Sequence, residues 1–497
     1  MDRRVFLRSA VAAGVSAASA SALAAEFASL TRIDSSIAAV TGGQKPVEIE
    51  QAALQELANS LRGNVLLPGN PGYETARKVL NPSIDKRPAL VVQPIGVTDI
   101  REAVGFARDR NLLLAVKCGG HSYAGKSTCE GGMQIDLSTF RHARVDPADR
   151  IAHVAGGSLL AELDRESMAF GLVTTAGTVS HTGVGGLTTA GGFGRLGRRF
   201  GLALDNVVGA DVVTADGRLL HVSAEENEDL FWGIRGGGGN FGIVTNFEFR
   251  LHPMQRTVVA GTVLYPYDKA RDVFNAFRDY GVSGPDALYC DPMLMSSMEG
   301  SSGMAGFELC WSGREQDADK VLAPFLSLGT PVMNSVKATD YVAAQQAWDN
   351  TDPRNNAEYL KAGFIDAFPD SLIDDILDGF EPMDRRAVIV YLQQSGGAIG
   401  RVPTKATAFA HRKSIANMLV TVGWPNEDDA APHVRYIRDY WATLEPATDG
   451  YYTVDTADEP REVRHANYQD NFPRLLEIKK KYDPTNLFRL NANINPA

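Results

Sequence analysis

The chain has 497 residues, of which 44% are hydrophobic and 22% are charged, a composition typical of a globular protein with a large core. Its formal charge is −11 at pH 7, and no Lys- or Arg-rich run occurs beyond the N-terminus, which argues against a nucleic-acid partner. We therefore expect an enzyme with a small-molecule substrate. Many of the 48 glycines are clustered, as in loops where a ligand lies close to the main chain.

The first 24 residues have the pattern of an export signal. Arg3 and Arg4 form a twin-arginine pair, a weakly apolar stretch follows over 10–24, and Ala22-Leu23-Ala24 supplies a small-residue cleavage site. This stretch is too short and too rich in Ser to span a bilayer. We predict export by the twin-arginine route to a periplasmic or secreted location, with no membrane span. The alternative is a helix of the mature protein.

Residues 25–60 resemble a helical lead-in, and sharper patterns begin at Leu61. Apolar runs predict strands over 88–94 and 112–116, and between them a helix over 97–107 with Asp99 or Thr98 as its N-cap. This strand–helix–strand unit leads into a Gly-rich loop over 117–122. Farther along, the patterns predict strands at 133–137 and 153–154, a helix over 158–170, a Gly-rich tract over 177–201, a hairpin of 207–214 with 219–222, and a strand over 243–249.

The pattern changes near residues 252–253. Residues 254–450 alternate strands with amphipathic helices, which predicts a separate α+β domain. The predicted strands are 258–265, 306–311, 387–393 and 408–424, and the predicted helices are 269–280, 372–379 and 432–444. No internal repeat or low-complexity tract occurs in the chain.

The chain has four cysteines, Cys118, Cys129, Cys290 and Cys310. An even number in an exported protein is compatible with disulfides, and Cys290 and Cys310 lie in strand-like runs that could bring them together across two strands. No CxxC pair occurs, so the sequence gives no support for a metal site.

Three glycine motifs match nucleotide-binding patterns. The segment 120–127 matches the phosphate-binding loop, but the paired Gly131-Gly132 disfavour the helix that this chemistry requires after Lys126. The segments 192–197 and 237–242 match the dinucleotide fingerprint without its strand-to-helix context. We interpret all three as turns whose N–H groups approach one large, phosphate-bearing ligand. A phosphate-loop nucleotide-binding protein is an alternative.

Several segments, in the same order along the chain, resemble the berberine-bridge-enzyme-like oxidases of the vanillyl-alcohol oxidase superfamily. Gly119-Gly120-His121-Ser122-Tyr123-Ala124-Gly125 is similar to the pyrophosphate loop of that family. The resemblance continues through the Gly-rich segments 183–194 and 235–242, through Asp229-Leu230-Phe231-Trp232, and through the tail segment 481–493.

The resemblance implies an α+β fold, in which a bipartite FAD-binding domain of the p-cresol methylhydroxylase type carries an inserted α+β substrate domain. The predicted boundaries are 1–24 for the signal, 60–253 for the first part of the FAD domain, 254–450 for the substrate domain and 451–497 for the returning segment. The resemblance also implies a covalent bond between a ring nitrogen of His121 and the 8α-methyl carbon of the flavin. The alternative is a turn histidine satisfied by loop amides. The other residues expected to bind FAD are Lys117, Cys118, Gly119, Gly120, Ser122, Gly177, Val179, Thr182, Gly183, Gly185, Gly186, Gly192, Gly194, Ile243, Asn491 and Asn493.

A second attachment of the flavin is not expected. Many relatives also bond it to a Cys in the segment that corresponds to residues 177–180, where this chain has Val179. No Cys lies between Cys129 and Cys290, so we predict attachment through His121 alone.

The implied reaction is the two-electron oxidation of an alcohol, a sugar or an amine, with hydride transfer to flavin N5 and with O₂ or another acceptor taking up the electrons. In plant relatives a carboxylate on the substrate-domain sheet is the base, but residues 413–424 contain no Asp or Glu. Tyr452 and Tyr468, near the returning tail, are the predicted bases, with packing at the domain seam as their alternative. His181 is predicted either to polarise the substrate or to be a loop residue. The alternative function is an exported flavin-binding protein without turnover.

Overall fold

The computed structural model describes residues 33–300, 303–350, 356–454 and 467–497. The predicted export signal, residues 1–24, lies outside the described residues. Within the described ranges the strands form a four-stranded, a five-stranded and an eight-stranded sheet, with two short two-stranded ribbons. No helix in these ranges is long and apolar enough to cross a membrane.

The four-stranded sheet is built from short apolar runs that are covered on both faces. Leu90, Val91 and Val92 are fully buried, as expected for the interior strand of a mostly parallel sheet. The predicted strands over 88–94 and 112–116 are confirmed, with bounds Leu90–Gln93 and Leu114–Lys117. The strand order is Asn64–Leu66, Leu90–Gln93, Met133–Asp136, Leu114–Lys117.

The helix Val97–Asp109 joins two of these strands, but its predicted N-cap is wrong. Gly96 is the N-cap residue, and Asp99 lies in the first turn of the helix. The Asp99 carboxylate instead accepts backbone N–H groups of Arg62, Gly63 and Ile95 at 3.0, 3.1 and 2.9 Å. It therefore binds the preceding loop to the helix.

The predicted helical lead-in over 25–60 is only partly correct. Two short strands, Ile37–Val40 and Pro46–Ile49, form an antiparallel hairpin before the helix Gln51–Ser60 begins. Alternating burial in the first of these strands packs Ala39 against the core, which is a strand pattern rather than a helix pattern.

The five-stranded sheet is antiparallel and contains the predicted hairpin. Val207–Thr214 pairs with Leu219–Ser223, and the strand predicted over 243–249 is Gly242–Arg250. The strand order is Leu219–Ser223, Val207–Thr214, Gly242–Arg250, Ile151–Ala155, Ala143–Asp146.

The tail of the chain packs on this five-stranded part. Its helix Phe472–Tyr482 buries Leu475 and Ile478 in the same hydrophobic cluster as Phe231 and Phe247. Lys479 is fully buried and donates hydrogen bonds to the carbonyls of Asn240 and Phe488 and to the Asp483 carboxylate, at 2.8, 3.0 and 2.7 Å. Burial lowers the pKa of this ammonium to about 8. The two ends of the chain thus form one unit, as the implied bipartite fold requires.

The eight-stranded sheet contains the strands of the predicted substrate domain. Seven strands follow the order Met333–Asn334, Thr257–Pro266, Met304–Trp311, Leu288–Met295, Ala387–Gln394, Ala416–Pro425, Asn356–Ile365. The eighth strand, Lys337–Asp340, also pairs with Thr257–Pro266. The domain boundaries remain predictions.

The strand predicted over 408–424 begins only at Ala416. The residues before it form a loop that lies against the Gly-rich segments, where the Ala408 N–H donates to the Arg235 carbonyl at 2.9 Å. The buried Arg412 in this loop donates two hydrogen bonds of 2.8 Å to Asp205. These contacts join the loop to the other part of the chain instead of extending the strand.

The remaining helices surround the sheets. The predicted helices over 158–170, 269–280, 372–379 and 432–444 are present with shifted ends. Among the described residues, the α-helices not yet given are Tyr73–Arg77, Leu160–Met168, Val184–Ala190, Gly197–Phe200, Glu228–Ile234, Ala270–Ala276, Ala318–Leu326, Tyr341–Gln345, Asp370–Asp378, Ala398–Arg401 and Ala430–Leu444.

The strand register explains why the suggested Cys290–Cys310 disulfide does not form. Their strands do pair, but Cys310 lies opposite Tyr289 and Cys290 lies opposite Leu309. Because successive residues in a strand point to opposite faces, the two thiols lie on different faces of the sheet. All four cysteines are free.

Candidate active site

One cavity of about 650 Å³ lies between the Gly-rich loops and a face of the eight-stranded sheet. Its first wall consists of the segments 118–123 and 177–190 with part of the tail at 488–492. Its second wall is provided by alternate residues of sheet strands, including Leu360, Ile389 and Leu419. The site therefore contains residues from both ends of the chain and from the inserted part.

The two Gly-rich loops of the first wall meet backbone to backbone. A Cβ atom added at Gly119 would lie 2.3 Å from the Gly183 nitrogen, and one added at Gly183 would lie equally close to the Gly119 nitrogen. Only glycine at both positions permits this approach. The paired loops then place the backbone of 118–122 and 182–186 along the cavity.

His121 lies in this wall next to a second histidine. Its Nε2 is 2.7 Å from His181 Nδ1, and its Nδ1 is 3.4 Å from the Thr182 hydroxyl oxygen. The ring centroids are 4.7 Å apart with an angle of 37° between the planes. His121 is thus a wall residue of the cavity with an ordered partner, which differs from a turn histidine satisfied only by loop amides.

The residues of the first wall fit a large polar ligand such as FAD. Asn491 Oδ1 and Ser127 Oγ are buried at the cavity and have no hydrogen-bond partner among the described residues. A Cβ atom at Gly186 would have no neighbour within 4 Å, so this part of the wall is open to a ligand. Buried polar atoms without partners are costly unless a ligand or water satisfies them. FAD bound here would meet backbone amides, these side-chain oxygens and His121.

Most of the residues predicted to bind FAD line the cavity. These are Cys118, Gly119, Gly120, His121, Ser122, Gly177, Val179, Thr182, Gly183, Gly185, Gly186, Ile243 and Asn491. The other four predicted residues, Lys117, Gly192, Gly194 and Asn493, are not among the lining residues.

Contacts explain the positions of three of these four. The Lys117 ammonium donates to the carbonyls of Ala76 and Lys78 and lies 3.5 Å from Asp136, away from the cavity. The Gly192 N–H donates to the hydroxyl oxygen of Tyr452 at 2.8 Å. A Cβ atom at Gly194 would lie 1.6 Å from the Ala176 carbonyl oxygen, so this glycine permits close packing of the chain.

The two predicted bases have different surroundings. Tyr452 lines the cavity, where its oxygen accepts the Gly192 N–H. Tyr468 is buried in the hydrophobic cluster of the five-stranded part, and its hydroxyl donates to the Ala492 carbonyl at 3.2 Å. The structure thus brings Tyr452 to the site and places Tyr468 behind its wall. Their catalytic roles remain predictions.

The second wall contains a polar group that the sequence did not reveal. Glu308 and Tyr391 line the cavity among apolar neighbours such as Met293 and Ile389. The Glu308 carboxylate is paired with Arg195, and the side chains of these two residues are 5% and 2% exposed. No sequence motif marks these residues, because they come from distant segments that only the fold brings together.

A buried chain of hydrogen bonds extends from this ion pair to the helix Leu160–Met168. Arg195 donates to the Gln345 side-chain oxygen at 2.8 Å, and the Gln345 amide donates to Asp164 at 3.1 Å. Burial raises the pKa of Asp164 to about 7, although the hydrogen bond from Gln345 opposes this effect.

The raised pKa of Asp164 predicts that Asp164→Asn becomes more stable relative to wild type as the pH rises from about 4 to about 7. The unfolded pKa is about 3.9, so in this range the folded chain keeps a proton that the unfolded chain releases. The contribution of Asp164 to wild-type stability therefore falls through this range and is level above it. Asn accepts the same hydrogen bond from Gln345 without titrating. Urea unfolding of both proteins at several pH values measures the difference, and a pH-independent difference would contradict the raised pKa.

No group of three or more His, Cys, Asp or Glu side chains that could hold a metal ion occurs within the four described ranges.

Comparisons with known proteins agree with this arrangement. A family model described as an FAD binding domain matches residues 88–223, and one described as berberine and berberine like matches residues 451–495. The first match covers the loops of the first wall, and the second covers the tail that completes it.

Individual relatives match over nearly their whole length. An FAD-linked oxidoreductase of Dictyostelium discoideum is 32% identical over 449 residues, covering 89% of this chain and 97% of that protein. The structure of 6-hydroxy-D-nicotine oxidase from Arthrobacter nicotinovorans has a TM-score of 0.79 at 26% identity, covering 88% of this chain and 99% of its own. Glucooligosaccharide oxidase from Acremonium strictum, described with a 6-S-cysteinyl, 8α-N1-histidyl FAD, has a TM-score of 0.77 at 24% identity, covering 89% and 98%.

The fold and the cavity thus define an FAD-linked oxidoreductase with an FAD-binding domain of the p-cresol methylhydroxylase type. The chain belongs to the berberine-like family of FAD-linked oxidoreductases, which confirms the resemblance found in the sequence.

Proposed function

We propose that this protein is an oxidase whose FAD is bonded covalently to His121 and whose substrate is a small alcohol, sugar or amine. The observation that carries the proposal is the cavity in which His121 and open glycine backbone face a wall of apolar side chains with polar ones among them, which are Glu308, Tyr391, Glu358, Gln393 and Thr421.

The contacts of His121 support a bond from its Nδ1. Nε2 has the short contact to His181, and we assign the Nε2 proton to the hydrogen bond between the two rings. Nδ1 then carries the lone pair, toward which the Thr182 hydroxyl donates at 3.4 Å, and this nitrogen would form the bond to the flavin. The relative from Acremonium strictum is described with an N1-histidyl bond to its FAD. Val179 provides no sulfur for a second bond.

The His181 contact predicts that His181→Ala lowers the fraction of the protein that carries bonded flavin. Without this partner, the His121 ring loses the hydrogen bond that fixes its tautomer and orientation. The ratio of flavin absorbance to protein in the acid-denatured polypeptide measures the fraction. An unchanged ratio would show that His181 has no part in the attachment.

When bound, FAD supplies a two-electron acceptor for hydride. The residues of this chain bind it, exclude water and orient the substrate. Met293, Leu360 and Ile389 form an apolar surface on the substrate side, and a water-poor site strengthens the electrostatic contacts within it. His181 also lines the cavity, so its predicted contact with the substrate is compatible with its position.

A probe panel tests the function. The holoprotein is mixed anaerobically with (R)-6-hydroxynicotine, xylobiose and benzyl alcohol, chosen to represent an amine, a sugar and an alcohol. We expect at least one probe to bleach the flavin band, and we expect O₂ to restore the band with formation of H₂O₂. If O₂ does not restore the bleached band but an artificial electron acceptor does, the protein is a dehydrogenase and not an oxidase. Bound flavin that no probe reduces would favour the non-catalytic flavin-binding protein.

We also propose export by the twin-arginine route, on the basis of Arg3 and Arg4 and the cleavage site that follows them. Replacing both arginines with lysine is expected to retain the holoprotein in the cytoplasm of a twin-arginine-competent host. Equal export of the variant and of the wild type would contradict this route.

A further inference from the structure

Two tyrosine hydroxyls in the second wall share one carboxylate oxygen. Tyr289 and Tyr391 donate to Glu308 Oε2 at 3.1 and 3.2 Å, and their own oxygens are 2.8 Å apart. Tyr391 and Glu308 line the cavity, whereas Tyr289 is not among its lining residues. The Tyr391 hydroxyl is therefore the phenol of this pair that a substrate can reach.

Arg195 links this polar group to the opposite wall. One of its nitrogens is paired with Glu308, and another donates to the carbonyl of Thr178. Thr178 lies between Gly177 and Val179 in the first wall of the cavity. The guanidinium balances the charge of the buried carboxylate. The same contacts fix the distance between the carboxylate and the segment 177–179.

The protonation state of Tyr391 determines whether it can accept a proton from the substrate. Burial and the neighbouring Asp291 and Glu308 carboxylates hold its pKa well above 10, so the hydroxyl keeps its proton. A neutral phenol can accept a proton only while it passes its own proton to another group. Two carboxyl groups contact this hydroxyl: Glu308, which accepts from it at 3.2 Å, and Asp291, whose pKa burial raises to about 7. The acceptor that we assign is Glu308, because it is the one paired with Arg195.

We propose that Tyr391 takes the proton from the O–H or N–H group of the substrate, that it passes its own phenolic proton to Glu308, and that Arg195 is the positioning residue for this transfer. The substrate X–H bond breaks and an O–H bond forms on Tyr391, while the former Tyr391 O–H bond breaks and one forms on Glu308. FAD bound in the cavity would supply the acceptor for the hydrogen and the electron pair of the adjacent C–H bond. The substrate would thus lose two electrons and two hydrogens, and Glu308 would then release its proton to solvent. This assignment rests on the proposed oxidase function.

A matched pair of variants separates this role from packing. Tyr289→Phe and Tyr391→Phe each remove one hydroxyl bonded to the same carboxylate oxygen, and only Tyr391 faces the cavity. With the fastest probe of the panel, we expect Tyr391→Phe to slow anaerobic flavin reduction by about 100-fold or more, the usual range for loss of a proton-transfer group. Tyr289→Phe should slow it by less than about tenfold. Bonded flavin and the melting temperature are measured in both variants.

The ion pair is tested through the pH dependence of flavin reduction. Arg195, Tyr289, Tyr391, Asp291 and Cys310 surround Glu308. Glu308→Gln should slow anaerobic flavin reduction to a similar extent as Tyr391→Phe. In Arg195→Met the Glu308 carboxylate loses its cation, which favours the protonated form. The pH at which flavin reduction reaches half of its maximal rate should therefore be higher than in the wild type, and Arg195→Lys should bring that pH back toward the wild-type value. A role in packing alone would lower stability without moving this profile.

Each outcome decides between the assignments. Tyr391→Phe that keeps more than a third of the wild-type rate, or Tyr289→Phe that loses as much as Tyr391→Phe, overturns the proton path. Tyr452→Phe that loses the rate while Tyr391→Phe keeps it assigns the proton to Tyr452 instead. Flavin that no probe bleaches defeats the proposed function itself, and the proton path then fails with it.

Discussion

His121→Ala is expected to release its flavin into solution when the purified protein is denatured in acid, whereas the wild-type polypeptide stays yellow. The reason is that the alanine side chain has no nitrogen to bond the 8α-methyl carbon, and the chain offers no cysteine near Val179 for a second bond. The native variant should still bind some FAD, since the glycine wall and Asn491 remain in place. Flavin absorbance in the precipitate and in the supernatant measures the release.

The matched control is His153→Ala. His153 lies in the five-stranded sheet, where its Nδ1 is 3.7 Å from Glu248, and it is not among the residues that line the cavity. This variant should keep its flavin bonded. Yellow colour that stays with the denatured His121→Ala polypeptide would show that another residue holds the flavin.

Gly186→Leu is expected to fold but to carry little or no flavin. Gly186 lies in the helix Val184–Ala190, where leucine is well tolerated, and a Cβ atom there meets no protein atom within 4 Å. The added side chain would project from the glycine wall into space that the ligand needs. Flavin content per polypeptide, together with the far-ultraviolet circular dichroism of the variant, tests this expectation.

Gly105→Leu is the matched control for this substitution. Gly105 lies within the helix Val97–Asp109, away from the cavity, and its nearest atom to an added Cβ is an Arg108 nitrogen at 3.9 Å. We expect normal flavin content in this variant. Full flavin content in Gly186→Leu would show that the cofactor does not lie along this helix.

Local signals were sufficient for much of the fold. The strand Leu90–Gln93 is a short apolar run, and the hairpin from Val207 to Ser223 has a glycine turn between two strand patterns. The first wall could also be predicted, because glycines that permit close backbone approach remain visible in the sequence. Where local signals were weak, prediction failed, as in the hairpin that precedes Gln51.

The second wall could not be predicted, because its geometry depends on the register of strands that are distant in the sequence. Asp291 lies opposite Glu308 on one side of its strand, and Met293 of the same strand lies opposite Tyr391 on the other side. Glu308 and Tyr391 therefore approach each other across the strand Leu288–Met295 that lies between theirs. Arg195 comes from a Gly-rich tract in which an arginine has no special pattern. Most of the segment 413–424 belongs to the strand Ala416–Pro425, whereas Glu308 lies in the strand Met304–Trp311.

Peptide mapping of the wild-type protein tests the central claim most directly. Tryptic cleavage after Lys117 and Lys126 yields a peptide of residues 118–126, which contains His121. We predict that this peptide carries the mass of one FAD and that its fragment ions place the added mass on His121. Flavin on any other peptide, or a polypeptide without bonded flavin, would contradict the account.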